Sequence, residues 1–172
     1  MNEALKNILT RRSVRRFENR PISRENLAQI AEAAIQAPSA MNRQLNQYTI
    51  VTDPAKIAKL AAAMGKELGR ADYDLYKPAA LILCTAPRES KFGREDCACA
   101  MENIFLAAHA LGIGSVWINQ LMNLCDAPGI REVLTELKVP ADHLGWGTAA
   151  LGYGPQESLG ASKRTDAIVW AD

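Results

Sequence analysis

Residues 79–85 read Ala-Ala-Leu-Ile-Leu-Cys-Thr, an apolar run set between Pro78 and Pro87. A run this short with prolines on both sides is a strand, and one that is apolar at successive positions is buried on both faces. The rest of the chain supplies the cover. Helical and strand-like segments alternate around this run, so the class is α/β or α+β, with helices packed on a central sheet.

The helical segments show themselves by period. Residues 3–9 place Leu5, Ile8 and Leu9 on one face. Ser23 is an N-cap, and Leu27, Ile30, Ala31, Ala34 and Ile35 then recur at helical spacing over residues 24–36, before Pro38. Asp53-Pro54 opens a helix to about residue 68, because proline suits the first helical position. Asp96 caps a long helix to about residue 111, with Met101, Ile104, Phe105 and Ala108 inward and Gly112 just past its end. Residues 126–137 form a further helix. Strands are expected at 48–52, 115–118 and 146–153, besides the buried one. Residues 69–77 are polar and contain Tyr73 and Tyr76, which suits a loop with a short helical piece and two candidate pocket-facing aromatics.

No repeat or linker divides the 172 residues, so one domain with one core is expected. Net charge is +1, which argues against a nucleic acid or a membrane surface as the main partner. No run approaches the roughly 20 apolar residues that span a bilayer, and the N-terminus lacks a signal-peptide core, so the expected location is cytoplasmic. Cys84, Cys97, Cys99 and Cys125 fit no zinc pattern and are expected as buried free thiols, with no metal site.

Four stretches carry possible chemistry. Arg11-Arg12-Ser13-Val14-Arg15 sets three guanidiniums and a hydroxyl within five residues. On extended chain Arg11, Ser13 and Arg15 share a face and suit a phosphate, and a solvated basic run is the alternative. Pro38-Ser39-Ala40-Met41-Asn42-Arg43-Gln44 joins a helix to a strand, either as an ordinary loop or as a close approach to a ligand. Gly112-Ile113-Gly114-Ser115-Val116-Trp117-Ile118-Asn119-Gln120 follows a helix where the dinucleotide fingerprint follows a strand, so it is not that fingerprint. Trp117 suits the core or a flat ring. Lys163-Arg164 is a tail pair or a second cationic contribution to a phosphate. His109 and His143 stand in no nucleophile pattern, and no catalytic side chain is assigned.

In order and spacing these stretches resemble the FMN-dependent nitroreductase family over about residues 5–170. The motifs are R-R-S-x-R-x-F near residue 11, A-P-S-A-x-N-x-Q near 40, D-x-x-x-A-x-x-N at a helix opening, G-I-G-S-x-W near 115, a strand ending L-G-Y, and K-R near the end. The resemblance is to the compact, short members. It implies an α+β sandwich with a central, mainly antiparallel sheet flanked by helices, in an intertwined homodimer with two FMN sites shared across the interface. Arg11, Arg12, Ser13 and Arg15 would hold the phosphate, ribityl chain and ring edge, and Lys163 and Arg164 would complete the phosphate site. Pro38, Ser39, Ala40, Met41, Asn42 and Gln44 would come from the partner subunit. Trp117, Ile118, Asn119 and Gln120 would lie along the isoalloxazine, with a backbone N–H near Asn119 facing N5.

Two positions depart from the family pattern. Leu45-Asn46 stands where many members have Pro-Trp, and the 69–76 segment lacks an asparagine that some members set against the flavin. The implied activity is ping-pong hydride transfer from NADH or NADPH through flavin N5 to a nitroaromatic, a quinone or a similar small acceptor. The family also contains dehalogenases and enone reductases, and a carrier or sensor without turnover is the alternative of another class. A short apolar segment, residues 167–170, has no evident partner in the chain and is expected to add as a strand to a second subunit.

Overall fold

The computed structural model describes residues 2–154 and 164–171. The helices are α1 (Glu3–Thr10), α2 (Arg24–Ile35), α3 (Pro54–Leu68), α4 (Gly93–Ala110), α5 (Leu121–Leu124) and α6 (Pro128–Glu136). The strands are β1 (Gln47–Val51), β2 (Ala80–Pro87), β3 (Gly114–Ile118) and β4 (His143–Gly152). They form one sheet in the order β1-β2-β4-β3, antiparallel at each pairing. This is the α+β sandwich that the resemblance implies.

The buried run is one of the two central strands, and it divides its side chains as a two-sided strand must. Leu81 and Leu83 join one apolar layer with Ile57, Leu60 and Met64 of α3 and with Ile130 and Leu134 of α6. Ala80, Ile82, Cys84 and Ala86 join the other layer, with Ile30 and Ala34 of α2 and Met101, Ile104 and Phe105 of α4. Each large side chain so buried contributes about 1.5–3 kcal/mol over exposure.

Local signals set several boundaries. Ser23 Oγ accepts from Asn26 N–H at 3.2 Å and starts α2. Asp53 Oδ1 accepts from Ala55 N–H at 2.9 Å, with Pro54 in the first turn of α3. Gly69 closes α3 at φ 66°, a left-handed angle that glycine adopts without Cβ strain.

Other boundaries are set by contacts. The long helix begins at Gly93, three residues before the expected cap Asp96. Gly93 packs against β2 so closely that a Cβ there would lie 2.9 Å from Ala86 Cβ. Asp96 is a buried residue of the first turn and not the N-cap. The helix expected at 126–137 is shorter, with Pro128 in its first turn, and α5 precedes it. Residues 69–77 hold no helical piece. Leu75, Tyr76 and Lys77 have φ of 55°, 67° and 48°, which a right-handed helix does not contain. Three of the cysteines are buried, whereas Cys99 is exposed on α4. Residues 167–170 are not a strand within this chain, and Ile168, Val169 and Trp170 are each more than 80% exposed.

Candidate functional site

The site begins where the N-terminal basic stretch crosses one edge of the sheet. Val14 N–H donates to the Ser115 carbonyl at 2.9 Å, and Ser13 bridges to Ser115 of β3. Glu18 N–H donates to the Tyr153 carbonyl at 2.7 Å. Phe17 lies on Gly152, where a Cβ would come within 2.8 Å of its ring. Three motifs far apart in sequence, those at residues 11–17, 112–120 and 151–153, are therefore one structure.

Arg11 turns onto α4. Its guanidinium carbon is 5.8 Å from the centre of the Phe105 ring, and its Nε is 3.5 Å from Glu102 Oε1. Phe105 in turn meets Trp117 with ring centres 6.1 Å apart and planes inclined at 56°. Trp117 Nε1 is buried and has no acceptor among the described residues. Arg12 points elsewhere, its Nη1 donating to the carbonyls of Leu9 at 2.9 Å and Arg11 at 2.8 Å, so it caps the end of α1. Arg15 is exposed. Ile118 is buried and pairs with Thr148, while Asn119 and Gln120 are exposed just beyond the strand. The sequence did not point to Glu102 or Phe105, since both are ordinary positions of a helix pattern.

The stretch Pro38 to Gln44 is elsewhere. It precedes β1, and β1 is the opposite edge strand of the sheet from β3, about 14 Å across by strand spacing. Its backbone is unusual: Met41, Asn42 and Gln44 have φ of 53°, 54° and 53°. Ser39 Oγ accepts from Gln44 N–H at 3.1 Å, and Gln44 Nε2 donates to Asn42 Oδ1 at 2.8 Å. Met41 is 75% exposed. One chain thus brings the first and third stretches together and leaves the second apart. Arg164 is exposed, and Lys163 lies outside the described residues.

The remaining titratable groups near the core do other things. Burial pushes the Cys97 thiol up to about 12, with Asp96 adding to the effect, and raises Cys84 as well. Neutral thiols of this kind are inert packing groups. His109 shares a hydrogen bond of 2.9 Å with Thr10 Oγ1 and helps seat α1. His143 Nδ1 is 3.0 Å from Thr85 Oγ1 inside the fold. Tyr73 lines a cavity of 720 Å³ between α3 and residues 17–21, whereas Tyr76 is exposed and does not line it.

Known proteins share this sequence pattern and this fold. The model of the nitroreductase family matches residues 8–81 and 71–154. An Archaeoglobus fulgidus protein described as an NADH dehydrogenase/NAD(P)H nitroreductase is 37% identical over 163 residues, covering 91% of this chain and 88% of its own. A Bacteroides fragilis nitroreductase solved with bound FMN is 35% identical, covers 100% of both chains and superposes with a TM-score of 0.90. A Desulfitobacterium hafniense nitroreductase with bound FMN is 26% identical over 100% of both chains, with a TM-score of 0.86. The chain belongs to the nitroreductase family.

Proposed function

We propose that the protein is an NAD(P)H-dependent FMN oxidoreductase that works as a homodimer. The observation that carries this reading is the joining of Arg11 and Ser13 to Ser115 and Trp117 along one edge of the sheet. The residues suit FMN. Guanidiniums and a serine hydroxyl supply phosphate donors. Phe105 and Trp117 supply aromatic surface, and the Trp117 indole is a buried donor with no acceptor among the described residues. The FMN bound in the relatives gives the same answer.

In this reading Arg11, Ser13, Arg15, Lys163 and Arg164 bind the phosphate end, and Arg12 joins them only by turning away from the Leu9 and Arg11 carbonyls that it holds in the free chain. Trp117, Ile118, Asn119 and Gln120 border the ring, with Ile118 contributing through its backbone because its side chain is buried. FMN held there would supply two-electron chemistry between NADH or NADPH and a small acceptor. The chain binds the cofactor, holds the ring and excludes water from one side. No side chain is assigned a proton.

The partner subunit supplies Pro38, Ser39, Ala40, Met41, Asn42 and Gln44. Three features support a second copy. The three large apolar side chains of α1, Leu5, Ile8 and Leu9, are 51%, 53% and 59% exposed. Strand β1 has an open edge beside a groove of 440 Å³ closed by residues 136–138. Ile168, Val169 and Trp170 form an exposed apolar segment suited to adding a strand there. The reading carries a cytoplasmic setting, where NAD(P)H is available.

The visible spectrum of the pure protein tests this. A yellow protein that NAD(P)H bleaches without oxygen is expected. One that stays yellow is a flavin carrier, and a colourless one that FMN does not reconstitute overturns the reading.

A further inference from the structure

The motif D-x-x-x-A-x-x-N has no role in the site as described so far. Its residues Asp96, Ala100 and Asn103 stand at i, i+4 and i+7 of α4, on one face. That face is turned to α2 and to the loop after it. Asp96, 6% exposed, accepts the Ala40 N–H on Oδ1 at 2.9 Å. Ala100 is fully buried in the layer that holds Ile30 and Ala34 of α2. Asn103 Nδ2 donates to the Ala33 carbonyl at 2.9 Å. The motif is a clamp between two helices, with the loop as its far end.

The loop needs such a clamp. Met41, Asn42 and Gln44 all have left-handed φ near 53°, and none is glycine. Such angles persist only where the surroundings impose them. Asp96 holds the loop at Ala40, and the next residue of α4 holds its other end, since Cys97 Sγ lies 3.6 Å from Asn46 Oδ1. Both ties come from the N-terminal end of one helix. The loop leads into β1, at the opposite edge of the sheet from β3, where the chain's own Ser13 is bridged to Ser115.

We propose that Asp96 is a positioning residue acting in trans: through Ala40 it holds loop 39–44 in the shape that completes the flavin site of the other subunit. This rests on the reading of the protein as an FMN homodimer. Asp96 touches no flavin atom itself, and its effect is on the site that its own Arg11 does not serve.

Mixed dimers, purified through a different tag on each chain, separate the possibilities, with FMN per dimer read from absorbance after gel filtration. Asp96→Ala homodimers should bind FMN about tenfold to a hundredfold more weakly. Asp96→Asn, which keeps an acceptor oxygen, should restore binding. With Arg11→Ala on one chain and Asp96→Ala on the other, both defects fall in one site, and one FMN per dimer is expected. With both substitutions on one chain beside a wild-type partner, both sites are damaged and none is expected. The reverse pattern, equal loss in both pairings, full FMN in Asp96→Ala, or no rescue by Asp96→Asn overturns the assignment. Full FMN in Arg11→Ala homodimers instead overturns the underlying flavin reading. Should Asp96→Ala chains fail to fold, Asn103→Ala replaces it in the same pairings with the same pattern expected.

Discussion

Val14 occupies the space that a side chain at Gly114 would need: a Cβ on Gly114 would lie 2.8 Å from Val14 Cβ and 3.0 Å from both its γ carbons. The basic stretch therefore sits on the sheet edge because position 114 has no side chain. Gly114→Ala forces the two backbones apart, and overpacking of this kind costs about 1–3 kcal/mol. A lower midpoint in thermal unfolding and weaker FMN retention are expected together. An unchanged melting temperature would show that residues 11–17 do not depend on this contact.

Arg11 has two partners in the free chain, the Phe105 ring and the Glu102 carboxylate. The Glu102 carboxylate is open to solvent and the pair is long at 3.5 Å, so it contributes about 0–1 kcal/mol and Arg11→Ala leaves the fold nearly as stable. A charge-assisted hydrogen bond to phosphate is stronger, and its loss weakens FMN binding about tenfold to a hundredfold. Circular dichroism and bound-flavin absorbance measured on the same sample check both halves. Equal flavin in variant and wild type refutes the phosphate role.

Burial pushes the His143 imidazole below its usual value, with Asp142 opposing the shift. An unfolded histidine titrates near about 6.5. Above that pH both states are neutral and the fold keeps its full stability. As pH falls below it, the unfolded chain takes up a proton that the folded chain resists, and stability is lost down to the folded value. Melting temperatures between pH 8 and pH 5 should fall more steeply in wild type than in His143→Gln. Parallel acid limbs would remove His143 as the cause.

A chain ending at Lys163 lacks Ile168, Val169 and Trp170 and leaves the β1 edge with nothing to add to it. Sedimentation should show loss of the dimer, and flavin should be lost with it, since each site then lacks the partner's loop as well as Arg164. A truncated chain that stays dimeric with an intact sheet contradicts strand addition.

Some of this was legible residue by residue. Ser23 and Asp53-Pro54 act on groups within one helical turn of themselves, so their effects are written in the neighbouring residues. The strand at 79–85 was legible because an apolar run of that length has few other uses. The start of α4 was not, since Gly93 is chosen by Ala86 on another element. Nor was the role of Asp96, whose partner Ala40 is 56 residues away. The left-handed angles of Met41 and Gln44 were equally hidden, because neither residue type favours them.

The sequence by itself determined the main helices and strands, their order and the family. Helix caps, apolar period and motif spacing are local or colinear properties, and they survive without coordinates. The tertiary structure decided which motifs meet. It laid residues 11–17 against Gly114 and Gly152, turned Arg11 onto Phe105, sent Arg12 back to cap α1, and set loop 38–44 at the far edge of the sheet. Those outcomes depend on close packing between residues distant in the chain, where one missing Cβ decides whether two segments touch.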